Sequence, residues 1–182
     1  MERKTSLVTS PTQSALAYRG EVTVELVKGD KVYQVIRQHN EGTAELFRYL
    51  ANALAGNVNT TNMPRYLHTF NAENPETDQG DNLYGTNRST CALNVPFSNV
   101  EVRYDSTLDG YSTEYTFMIP FSQIWGTTNV LALYNTIAYG NAITPLAFIR
   151  LDEDQWIRAS SSNTANVVVR WVMTVYNAQV AE

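Results

Sequence analysis

Two histidines, one cysteine and a run of three adjacent acids are the residues with most to offer chemistry, and their spacing withholds it. His39 and His68 have no paired cysteine and no carboxylate at the intervals a tetrahedral metal site uses. Cys91 stands alone, outside any flanked nucleophile motif, and reads as a small packed residue. Glycoside hydrolysis needs two carboxylates facing each other across a substrate. Asp152-Glu153-Asp154 are consecutive, point in different directions and read as a solvated turn. Asp78 and Asp81 lie in a polar loop without the spacing of a calcium-binding hand. Gly80 to Gly85 (GDNLYG) lacks the Lys-Ser/Thr ending of a phosphate loop. The expectation is a chain with no catalytic residues, no metal and no cofactor.

Composition narrows the remaining classes. The chain has 182 residues, of which 43% are hydrophobic and 17% charged, with a formal net charge of -5. That describes a globular domain rather than a solvating disordered chain. An acidic balance with scattered Lys and Arg disfavours nucleic acid as a partner, because phosphate neutralisation needs clustered cations. No apolar run is long enough to span a bilayer, so no membrane partner is expected. The opening MERKTSLVTSPTQS has no secretory apolar stretch, and with one cysteine no internal disulfide is expected. Synthesis and assembly in a cytoplasm are therefore expected.

The elements that must position any site read mostly as strands. Glu21 to Val27 (EVTVELV) alternates strictly, Lys28 to Lys31 is a turn, and Val32 to Ile36 completes a predicted hairpin. Between Val35 and Asn57 the period changes. Leu46, Leu50 and Leu54 recur at helical spacing with Phe47 beside them, predicting a helix over 43–55 that buries these four side chains on a sheet. Thr43 is placed to cap its first turn and Gly56 to end it. Arg65 to Asn71 reads as a strand with Tyr66, His68 and Phe70 on one face. Residues 72–90 read as a long polar loop. Val100 to Tyr104, Glu114 to Ile119, Val130 to Tyr134, Leu146 to Leu151 and Val167 to Tyr176 follow as strands, separated by turn formers such as Asp109-Gly110 and Gly126. Short strands at near-regular spacing predict an antiparallel β-sandwich, jelly-roll-like, with one packed amphipathic helix. Residues 1–19 are expected to be a flexible arm and 20–182 a single domain.

Aromatic residues are the other candidates. Tyr is abundant, at 11 of the 182 residues. Tyr supplies apolar area together with a hydroxyl, which suits subunit interfaces as well as cores. Trp171, inside VVVRWVMTVY, reads as core. Trp156, beside the acidic turn, is expected to be exposed. With Tyr111 and Tyr84 it forms a set of candidate contacts to a protein partner or to a glycan.

Two segments in order resemble a family. QHNEGTAELFRYLANALAGN (38–57), followed by PRYLHTFN, and YTFMIPFSQIWGTTNVLALY (115–134), followed by PLAFIRL and VVVRWVMTVYNA, are similar to small virion structural proteins of tailed bacteriophages. Genes for such proteins encode tail, neck and head accessory components. The opening HN-x-GT, the segment YTF-x-IP and the closing W-x-MTVYN carry the likeness. It spans residues 20–178 and is weakest across 72–95. The resemblance implies a non-enzymatic building block of the virion, assembling with itself and with other virion proteins. A tail, neck-ring or baseplate subunit is the expectation. A capsid decoration or head-fibre protein, or a β-sandwich that binds a host-surface glycan, is the alternative.

Overall fold

The computed structural model describes residues 14–56, 63–71, 95–124, 126–135, 145–158 and 165–179. Eleven strands and one α-helix are built from them. The strands are β1 (Ser14–Lys28), β2 (Lys31–His39), β3 (Glu41–Gly42), β4 (Tyr66–Phe70), β5 (Val95–Asp105) and β6 (Gly110–Ile119). They continue as β7 (Thr127–Thr128), β8 (Val130–Tyr134), β9 (Ala147–Arg150), β10 (Ile157–Arg158) and β11 (Asn166–Gln179). The helix α1 is Ala44–Leu54. The fold is mainly β and antiparallel, as the alternation of the strands implies.

Nine strands pair in the order β2-β1-β11-β6-β5-β4-β8-β9-β3, and β7 pairs with β10 separately. The pairing divides the nine into two layers. β2, β1, β11, β6 and β5 are long and fully laddered. β4, β8, β9 and β3 are short. Among the described residues, only Tyr66↔Pro96 and Leu67↔Val95 join the layers on one side. On the other side one run of chain bends across the gap. Residues 31–39 pair with β1, and 41–42 pair with β9. The sandwich is therefore nearly closed into a barrel. Asn40 sits at the bend, its N–H donating to Gly20 O at 3.2 Å and its Nδ2 to Tyr18 Oη at 2.7 Å.

Alternation dictates which side chains face between the layers. Val22, Val24 and Leu26 of β1 meet Val167, Val169 and Trp171 of β11 and Tyr115, Phe117 and Ile119 of β6. Leu67, Leu131, Leu133, Ala147 and Ile149 face them from the shorter layer. That shorter layer is buried on both faces, which is why β8 reads as the unbroken apolar run VLALY. Its second face holds His68, Phe70, Val130, Ala132, Tyr134 and Phe148.

Three expectations are corrected. β1 begins at Ser14, so residues 14–19 belong to the sheet and not to an arm. Their register continues without a break, Ser14↔Gln179 to Arg19↔Thr174, so the backbone hydrogen-bond ladder holds them. Residues 1–13 lie outside the described part. The Thr43 hydroxyl does not cap the helix, although Thr43 is the N-cap residue. It donates instead to the carbonyls of Pro145 and Leu146, and so ties the helix start to the strand across from it. Phe47 is 54% exposed rather than buried in the helix–sheet core. The sheet meets α1 along Leu46, Tyr49 and Leu50, and Phe47 is turned about 100° away from Leu46 around the helix axis. Leu46 is fully buried and Leu50 partly so. The Leu54 side chain lies outside the described part.

Candidate assembly surface

Among the described residues, those with chemical potential are not brought together. His39 ends β2 in the longer layer, exposed, opposite Glu21. His68 is fully buried on the second face of the shorter layer, its ring 4.4 Å from that of Tyr134. Cys91, Asp78, Asp81 and Tyr84 lie outside the described residues. Asp152 to Asp154 are exposed and lead into a short 3₁₀ helix, Glu153–Gln155. Gln155 N donates to Asp152 O at 2.8 Å, and the Gln155 side-chain Oε1 accepts from Gln38 Nε2 at 2.7 Å. Among the described residues no group of three or more His, Cys, Asp or Glu is placed to hold a metal ion.

Trp156 is a further correction. It is only partly exposed, because it packs against the core and its Nε1 donates to Leu151 O at 3.0 Å. The Arg158 guanidinium lies 5.4 Å from its ring centre. The core and the guanidinium compete with any ligand for this ring. Trp171 is fully buried, with no hydrogen-bond acceptor for its Nε1 among the described residues.

Tyr111 is 63% exposed and leads to a surface that the sequence did not mark out. It stands opposite Tyr104 in the β5–β6 ladder, with ring centres 5.5 Å apart in an edge-to-face arrangement. The next pairs on the same face are Val102↔Thr113 and Val100↔Tyr115. Directly opposed residues share a face, and Tyr115 belongs to the core. Tyr104, Tyr111, Val102 and Val100 therefore continue the core-facing side of the longer layer. They are uncovered: Val102 is 67% exposed and Tyr104 56%.

The helix marks where cover stops. Leu46 packs into the core, and Tyr49 lies near Tyr115, where burial first and Tyr49 second push the Tyr115 hydroxyl upward in pKa. Phe47 touches Tyr18 edge-to-face at 6.4 Å between ring centres. Burial pushes the Tyr18 hydroxyl up to about 12, against the opposing effect of its hydrogen bond with Asn40. Past this cluster the longer layer projects beyond the shorter one. Every residue of β5 from Pro96 to Tyr104 is exposed.

The opposite face of the projection is polar. Glu101, Arg103, Ser112 and Glu114 share that face, and the last three line a shallow depression of about 320 Å³. Glu101 stands directly opposite Glu114. Arg103 bonds to Glu101 on its own strand. That bond, with a second from Asn99, holds the Glu101 carboxyl below its ordinary range. Two carboxylates share one guanidinium here. The Ser112 hydroxyl on this face pairs with the Thr174 hydroxyl at 2.7 Å.

Comparisons with protein-family models, curated proteins and solved structures find no match. No helix among the described residues is long and apolar enough to cross a membrane.

Sequence reasoning assigned Val100 to Tyr104 to a strand but did not single out its open face. Alternation reports which side chains share a side, not whether another layer covers them. The available signal was the short apolar runs at β4 and β8, five residues each against eleven for β5 and ten for β6.

Proposed function

We propose that this protein is a non-enzymatic structural subunit of a tailed-bacteriophage virion, built into the tail, neck ring or baseplate, and that it works by associating with further copies of itself and with other virion proteins. The observation that carries the self-associating part is the uncovered apolar stretch of β5 and β6. Contiguous exposed apolar surface on a folded domain marks an interaction site more often than it marks idle surface. Tyr104 and Tyr111 are suited to such a site, because a ring buries large area at small entropic cost while the hydroxyl stays solvated or bonded. Here Tyr104 Oη already donates to Asp109 Oδ1 at 2.6 Å, which fixes the ring before any partner arrives.

The virion assignment rests on the resemblance of 38–57, 115–134 and 167–178 to small tailed-phage structural proteins. Those segments supply α1, β6, β8 and β11, which are largely core. The likeness therefore concerns the scaffold, and the contacts belong to the projecting strands. The glycan-binding reading loses Trp156 to the packing described above and retains Tyr111.

Mass spectrometry of purified particles tests the proposal. The chain is expected in stoichiometric amount in intact virions and in particles stripped of soluble protein. Its absence from particles would sink the reading.

A further inference from the structure

β5 pairs with β4 at its start and with β6 from Phe97 onward, so no part of it has described strands on both sides. On the side away from β6 it pairs with β4 at Val95 and Pro96 alone. From Asn99 to Asp105 that edge has no strand partner among the described residues. Long exposed apolar edges recruit other strands unless they are guarded. The sequence along this edge, Asn-Val-Glu-Val-Arg-Tyr-Asp, has a property that a generic guard would not need. Reversed about Val102, it is complementary to itself.

We infer that β5 pairs antiparallel with β5 of a second copy of this chain, across a two-fold axis at Val102. Val102 then meets the partner's Val102, and Val100 meets the partner's Tyr104 on the apolar face. On the polar face Glu101 meets the partner's Arg103, and Arg103 meets the partner's Glu101. Asn99 meets the partner's Asp105. Every apolar residue faces an apolar one and every charge an opposite or neutral group. A two-fold contact must be self-complementary in this way, because each residue pair occurs twice. Cross-strand pairs of opposite charge stabilise a ladder and like charges weaken it.

The isolated chain also lacks something that the pairing supplies. Glu101 and Glu114 oppose each other, and Arg103 one pair along the face is the guanidinium that both feel. The partner's Arg103 would bring a second guanidinium to Glu101 across the open edge of β5. Strand pairing of this kind adds main-chain hydrogen bonds for affinity and leaves specificity to side chains at alternate positions. The occupant is a second copy, because this sequence itself presents the matching charges in the reversed order.

This inference sharpens the self-association in the proposed function and rests on it. The two are separable, since particle composition tests the first and the oligomeric state in solution tests the second. Light scattering behind size exclusion is expected to show a dimer of the full chain. Glu101→Arg places two like-charge pairs in the contact, and so does Arg103→Glu. Each is expected to raise the dimer dissociation constant at least about 10-fold. Mixing the two single variants is expected to restore a dimer containing one of each, because position 101 of either copy then faces an opposite charge at position 103 of the other. The double variant Glu101→Arg/Arg103→Glu is expected to dimerise by itself. Restoration on mixing also excludes misfolding as the cause of the loss.

Val102→Cys in a Cys91→Ser background gives a geometric check. Directly opposed residues in an antiparallel pair have Cα atoms about 4.5–5.5 Å apart, within disulfide reach. Mild oxidation is expected to cross-link two copies through this position. A wild-type chain that stays monomeric at high concentration overturns the inference. So does a dimer that neither charge reversal weakens.

Discussion

The two ends of the longer layer are made of the same strands with the same alternation, yet one is core and the other is surface. At one end Val22, Trp171 and Tyr115 lie side by side under α1 and the shorter layer. At the other end Val102, Tyr104 and Tyr111 occupy equivalent positions with nothing described above them. The difference is not in the strands. It lies in the reach of the opposing layer, where β4 and β8 span five residues each against eleven for β5 and ten for β6. A face turned inward by alternation becomes core only as far as a second layer extends.

The largest contrast between the ends is expected from truncating one aromatic at each. Trp171→Ala should cost about 3–5 kcal/mol through lost transfer and the cavity left behind. Tyr111→Ala should change stability by less than about 0.5 kcal/mol, because the ring is already in solvent. Urea unfolding of dilute monomer measures both, and similar losses at the two positions would erase the distinction. On the helix the same contrast appears in adjacent residues. Leu46→Ala is expected to cost about 2–5 kcal/mol and Phe47→Ala less than about 1 kcal/mol. Equal costs would restore the stripe that includes Phe47.

Gly20 sits where the covered end begins. A Cβ there would lie 1.4 Å from Asn40 Oδ1 and 2.5 Å from Tyr18 Oη. Gly20→Ala must therefore displace the Asn40 side chain and its bond to Tyr18, at a cost of about 1–3 kcal/mol. A thermal melt unchanged by this substitution would show that the bend has slack.

The smallest effect at neutral pH is the titration of Tyr18. Its folded pKa, pushed up to about 12, exceeds the ordinary value of 10.0. Above pH 10 the unfolded chain has lost a proton that the folded chain keeps, so stability falls as pH rises. The contribution is intact below pH 10 and is lost progressively toward pH 12, on the order of 1 kcal/mol per pH unit. Denaturant midpoints across this window should fall less steeply for Tyr18→Phe than for the wild type. Tyr115, shifted in the same direction by burial, continues to titrate in the variant.

How far the fold was legible depended on how local its causes were. EVTVELV and VVVRWVMTVY declare their strands and their buried faces, since alternation is written in neighbouring residues. Gly56, with φ of 77°, ends α1 where its lack of a Cβ permits. Most of the failures involve partners distant in sequence. Residues 14–19 look unpatterned because β11, rather than an alternating run of their own, holds them. Phe47 fits a helical stripe, but the sheet contacts the helix along the line through Tyr49. Trp156 borders an acidic turn and still turns inward to the Leu151 carbonyl. The open face of β5 required knowing how long the opposing strands are. The long loop over 72–90, with Tyr84, lies outside the described residues.

The place of β11 in the sheet has a consequence for the order of events during synthesis. It lies between β1 and β6, so the β1–β2 and β5–β6 hairpins touch the same layer only through it. A ribosome delivers both hairpins long before it delivers residues 166–179. Until then each is a two-stranded ribbon with one apolar side, and an isolated hairpin is marginal in water. Folding of the longer layer must wait for the last strand, and pairings so distant along the chain close slowly. The nascent chain thus holds the edges of β1 and β6 open until β11 emerges, a period in which chaperone capture competes with premature association between neighbouring chains.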